Sequence, residues 1–257
     1  MIDDIYVPIA FCFLEDEKYC SYKLALETLR EAAPRWDPRG VVSDFERGEL
    51  KAIREVFPNL EWLQGCHFHY CQCQLKRYKK AEGYNSDVEL RDVLIKTIAL
   101  PFLPPDDVQK GWKLIRSALL PAYPAAERYV DYFESTWMKG CYSIELWNCR
   151  DRTLRGEPRT NNVSEGGNNS LRVAFAMENP VIWTCIDKIV EFQSQTDMSL
   201  VHQDAGQLNV IKKRRWRQKK EAAVKRHVTN YTTGVDVMDF LKRLSYMFVT
   251  AEYFPTV

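Results

Sequence analysis

The chain has 257 residues, 46% of them hydrophobic and 12% aromatic, which suits one large folded domain or two small ones and excludes a disordered segment. Its net charge is +1, so there is no global electrostatic case for nucleic acid. The charge is nevertheless uneven: Lys212 to Arg226 holds nine Lys/Arg against one Glu, a local +8 that leaves everything else at −7.

Residues 5–14 form a near-continuous apolar run with β-branched and aromatic side chains, which predicts a buried strand. Asp3 and Asp4 lead this run, where a secretory leader would carry positive charge, and it is too short to span a bilayer. The expectation is a chain with no membrane attachment and eight reduced, intracellular cysteines. Residues 18–33 place Tyr22, Ala25, Leu26 and Leu29 on one helical face, stopped by Pro34. A strand over 40–44, a helix over 46–57, a strand over 60–65 and a helix from 66 to 80 follow. Alternating strands and helices over 1–85 predict an α/β layer with parallel pairing.

From 86 to 150, Leu, Tyr and Trp recur at irregular helical spacing between Pro101, Pro104, Pro105, Pro121 and Pro124, which predicts an α-helical insertion. Closing helices are expected over 151–198, one of them from about Pro180 to Gln195. Residues 199–257 hold the basic run and a tail with an apolar stretch around Val237 to Phe248.

Three places carry chemistry. Asp44 ends a predicted strand, where α/β sheets collect function, and it could equally cap the helix that follows. Cys66, His69 and Cys73 fall on one face of the predicted third helix and could begin a zinc site, with Cys141 or Cys149 as a fourth ligand. The third place is Arg159-Thr160-Asn161-Asn162-Val163-Ser164-Glu165. There Asn162 can cap a helix and Glu165 can reach back to the cap, ahead of a stripe of Val163, Gly167, Leu171 and Ala174. Two adjacent glycines, Gly166 and Gly167, each cost a helix about 1 kcal/mol, which suggests a close approach to the backbone.

The run 159–165 resembles the Arg-Thr-Asn-Asn-x-x-Glu signature of Mutator-like (MULE) transposases, although Gly167 and Asn168 replace the family's usual Trp and His. Residues 41–69 resemble the same family: an apolar strand, Asp44-Phe45-Glu46, a helix ending in Val56-Phe57-Pro58, then Cys66-x-x-His69. The resemblance implies an RNase H-like (DDE transposase) core, with DNA at transposon ends as partner and a nuclear location, otherwise a cytoplasmic one. It implies two Mg²⁺ ions held by two Asp and a Glu, with Asp44 and Glu165 at two of these positions. Cys66, His69, Arg159, Asn161 and Asn162 would support that site. The family's first Asp lies in an Asp-Gly-Thr-Phe motif that this sequence does not contain. The alignment places 5–14 on the third strand, so the expectation is a core lacking its first two strands and a catalytically incomplete enzyme. It would act, if at all, with an intact transposase or as an oligomer, unless a longer chain exists upstream. The alternative is a domesticated, non-catalytic nuclear DNA-binding or protein-interaction module.

Lys212, Lys213, Arg214, Arg215, Trp216, Arg217, Lys219 and Lys220 are the candidate nucleic-acid contacts. The same run reads as well as an import signal or as a solvated helix face.

Overall fold

The computed structural model describes residues 10–80, 83–84, 86–161, 181–204, 215–232 and 234–249. The chain divides into two compact units: Met1–Phe13 with Asn161–Gln218, and Leu14–Thr160 with Lys219–Val257.

The larger unit opens with α1 (Tyr19–Ala32), β1 (Gly40–Ser43), α2 (Arg47–Val56), β2 (Trp62–Gly65) and α3 (His67–Tyr78). β1 and β2 pair in parallel, Gly40 opposite Trp62 and Ser43 opposite Gly65. Parallel partners need a crossover, and α2 supplies it. Glu46, not Asp44, caps α2, its carboxylate accepting from the Gly48 amide. The capping role open to Asp44 is therefore taken by its neighbour two residues on. α2 turns Ile53, Val56 and Phe57 into a small core against Leu26, Trp36, Val41, Leu60 and Leu63. At Gly65 an added Cβ would run into the Phe45 ring, so the end of β2 admits glycine and little else.

Helices then follow in quick succession: α4 (Val88–Ile95), a 3₁₀ stretch over Lys96–Phe102, α5 (Pro105–Leu119), α6 (Glu127–Phe133), a π-helical turn over Glu134–Met138, α7 (Ile144–Trp147) and α8 (Arg150–Arg155). α10 (Arg215–Thr229) and α11 (Val237–Tyr246) come last, after α9 (Ile182–Asp204) of the other unit. Their Val224, Val228, Phe240, Leu241 and Leu244, with Phe248, are buried in the same core as Tyr70, Leu94, Ile98 and Trp147. The apolar stretch of the tail is thus a core helix, capped by Asp236 through the Met238 amide at 2.9 Å.

Aromatic rings organise this core. Tyr70 stacks on Trp147 with centroids 5.5 Å apart and meets Trp137 edge-on at 4.8 Å. Trp147 donates its Nε1–H to the Trp137 carbonyl at 3.1 Å. Phe45, just after β1, sits edge-on to Trp137 at 4.8 Å and to Tyr142 at 5.1 Å, and the Tyr142 hydroxyl donates to the Phe45 carbonyl. Rings in such geometry add about 0.5–1.5 kcal/mol per pair beyond burial, so the helical stretch fixes the loop that carries Asp44.

The smaller unit's described elements are residues 10–13, Asn161, Val181 and α9, with α10 beginning in it. Phe11 meets Phe192 of α9 edge-on at 6.3 Å. The strand expected over 5–14 is not formed by residues 10–14, which have no strand assignment and show Phe13 at 58% exposure. A strand is held by ladder bonds to a neighbour, and among the described residues the sheet consists of β1 and β2 alone. α9 runs nine residues beyond Gln195, to Asp204. Among the described residues, no helix is long and apolar enough to cross a membrane.

Candidate metal centre at the carboxyl ends of the parallel strands

The parallel ladder continues one step past the strands. The Cys66 amide donates to the Ser43 carbonyl at 2.8 Å, which brings Asp44, next after Ser43, alongside Cys66, next after Gly65. Both residues thereby stand at the carboxyl ends of adjacent parallel strands, the usual location of sites in such sheets. Cys66 is also the N-cap of α3, with ψ of 122°. His69 lies in the first turn of α3, where side chains lean back toward the helix N-terminus.

The result is a cluster: one ligand atom each from Asp44, Cys66 and His69, all within 4.8 Å of one another. His69 Nδ1 is 2.7 Å from Asp44 Oδ1, with the two side chains 30% and 43% exposed, whereas Cys66 is fully buried. Burial pulls His69 toward neutrality. Its hydrogen bonds to Asp44 and Cys66, with their charges, outweigh that and push the ring up to about 10, so it is an imidazolium at neutral pH. Glu49, on the first turn of α2, faces the same region. Burial raises its carboxyl, against the pull of its hydrogen bond from Ser43, and the charges of Asp44 and Glu46 raise it further. Three carboxyl groups thus share this corner, that of Glu49 pushed toward its neutral form.

Cys73 is not part of the cluster. The shared face expected for Cys66, His69 and Cys73 fails because Cys66 is extended rather than helical, and Cys73 lies roughly 10 Å along the axis at 1.5 Å per residue. Cys149 is buried in the aromatic core and Cys141 is exposed, and neither joins the cluster.

Arg159 holds the start of the second motif in place. Its carbonyl accepts from the His67 amide at 2.9 Å, its guanidinium pairs with Glu221 at 2.8 Å, and the group lies 5.6 Å from the Phe102 ring. Asn161 closes the described part of that motif and falls in the smaller unit. Asn162 and Glu165, with the capping box and apolar stripe read there, lie outside the described residues. So do Lys212, Lys213 and Arg214, and the side chains of Arg215, Trp216 and Arg217. Lys219 is exposed, and Lys220 lies 5.4 Å from the Phe248 ring. The basic run thus enters α10, with Glu221 turned to Arg159.

The Mg²⁺ pair that the resemblance implies needs Glu165 as well as Asp44, and Glu165 lies outside the described residues. Mg²⁺ wants hard oxygen ligands in near-octahedral array. Among the described residues the cluster supplies one carboxylate, a sulfur and an imidazole nitrogen. By resemblance, sequence reading set Cys66 and His69 in support of the Asp44 site but did not join the three as ligands, although two predicted parallel strands have Asp44 and Cys66 as their next residues. It also missed Glu46 as the cap and Glu49 as a neighbour of Asp44.

Residues 3–73 match the family model described as MULE transposase domain, in agreement with the resemblance carried by Asp44-Phe45-Glu46 and Cys66-x-x-His69. Neither the curated proteins nor the solved structures contain a match to the chain.

Proposed function

We propose that this chain, whose residues 3–73 match the MULE transposase domain, is a transposase-derived protein with an RNase H-like core that binds DNA without cutting it on its own. The observation that carries the reading is Asp44. It lies inside the matched segment, at the end of β1, yet its carboxylate faces the His69 imidazolium at 2.7 Å.

The ancestral reaction implied by the resemblance is cleavage and joining of strands at transposon ends. In such chemistry a metal pair activates the attacking oxygen and stabilises the leaving one, and several carboxylates must hold it. Asp44 and Glu165 match two of the three family positions. To serve a metal pair, Asp44 would first have to give up its 2.7 Å contact with His69. That contact favours the domesticated, non-catalytic reading, for which a nuclear location is also proposed. DNA affinity would then rest on phosphate contacts from 212–220, and binding would be weak, insensitive to sequence and steeply salt-dependent.

The test incubates the full chain with labelled duplex DNA in Mg²⁺ or Mn²⁺ at several salt concentrations. Binding that falls steeply with salt, with no strand cleavage, is expected. Cleavage that disappears in both Asp44→Asn and Glu165→Gln would overturn the non-catalytic reading.

A further inference from the structure

We propose that Asp44, Cys66 and His69 form a mononuclear site for a borderline-soft divalent transition ion of the Zn²⁺ class. The proposal rests on the donor atoms themselves, not on the DNA reading, so strand-cleavage assays have no bearing on it.

Three observations carry it. The donors are chemically mixed: binding releases the His69 ring proton and the Cys66 thiol proton, and the resulting imidazole and thiolate select Zn²⁺ and its neighbours over Mg²⁺ or Ca²⁺. They are already gathered, all within 4.8 Å. A tetrahedral ion with bonds of about 2.0–2.3 Å sets its ligands roughly 3.5 Å apart. The widest separation would close by about 1 Å, and the 2.7 Å contact between Asp44 and His69 would open by a comparable amount. Side chains half exposed at Asp44 and His69 can make that change without disturbing the backbone.

The backbone around the site is set independently of any ion. Cys66 is fixed by its amide bond to the Ser43 carbonyl, and the next residue, His67, by its bond to the Arg159 carbonyl at 2.9 Å. The buried sulfur forms the floor, and the half-exposed Asp44 and His69 form the open side. Three protein ligands leave a tetrahedral ion one further position, for water or another oxygen ligand.

The experiment uses the full chain, stripped of metal under reducing conditions and titrated with Co²⁺ as a spectroscopic stand-in. One ion per chain is expected, with a thiolate-to-cobalt charge-transfer band. Zn²⁺ should abolish the band stoichiometrically, and a large excess of Mg²⁺ should leave it unchanged. Cys66→Ser should remove the band, His69→Ala and Asp44→Asn should each weaken binding by at least about tenfold, and Cys73→Ser should bind as the parent does. Survival of the band in Cys66→Ser, or competition by Mg²⁺, would overturn the proposal. Because Asp44 is half exposed, Asp44→Asn is the variant least disturbed in folding, and unchanged affinity there would overturn it as well.

Discussion

The His67 amide donates to the Arg159 carbonyl at 2.9 Å, so the start of α3 and the start of the Arg-Thr-Asn-Asn motif are bonded to each other despite their distance in sequence. The bond lies next to Cys66 and one turn from His69. The guanidinium of Arg159, buried against Phe102 and paired with Glu221, keeps that carbonyl in position.

Glu221 is half exposed, so its pair with Arg159 is screened by water and worth little. Glu221→Gln should lower stability by no more than about 1 kcal/mol. Arg159→Ala should lower it by more, about 2–3 kcal/mol, because it also removes a buried side-chain stem packed near Phe102. Urea denaturation of the two variants at neutral pH measures the difference, and equal losses would show that Arg159 acts only through Glu221.

His69 should titrate near 10 in the metal-free chain. Its folded pKa is raised above the unfolded value of about 6.5. The stability it contributes is therefore fully present below pH 6.5 and is lost as pH rises through 10. Proton NMR of the imidazole follows this directly. In Asp44→Asn the midpoint should move down toward the ordinary histidine range, and a midpoint unmoved by that change would mean Asp44 is not what charges the ring.

His67 should do the opposite. Burial holds it neutral, down to about 3, and it is hydrogen-bonded to the Ile98 carbonyl at 3.0 Å. Its folded pKa lies below the unfolded one, so its stabilising effect is complete above about pH 6.5 and lost as pH falls toward 3, at about 1.4 kcal/mol per pH unit. In His67→Phe the absolute stability should drop with the lost bond, but the acid-side slope should flatten. Urea midpoints at pH 7 and pH 4.5, in parent and variant, give the comparison.

Gly65→Ala should cost about 1–3 kcal/mol, since the new methyl meets the Phe45 ring that Trp137 and Tyr142 hold from the other side. Phe45 follows Asp44 directly, so the same change should weaken Co²⁺ binding. A variant with an unchanged melting temperature would show that the ring has room to move.

The sequence by itself determined the local elements of the first part of the chain. Apolar runs bounded by Gly and Pro marked β1 and β2, helical periodicity marked α1, α2 and α3, and the residues from Asp44 to His69 pointed to the MULE family that the match over 3–73 agrees with. These signals are short-range, set by side-chain period and turn chemistry. What it left open were choices between partners. Asp44 could cap α2 or serve a site, and the cap is Glu46, the residue just before the helix begins at Arg47. Cys66 was read onto a helical face with Cys73, yet the ladder bond to Ser43 keeps it extended and turns it to Asp44 instead. Val237–Tyr246 looked like a tail and is a core helix because its Phe240, Leu241 and Leu244 meet apolar side chains contributed from far earlier in the chain. Such outcomes depend on which distant groups arrive within about 4 Å of each other. Only the tertiary structure decides that, because burial and backbone pairing are settled by the whole core at once and not by any window of sequence.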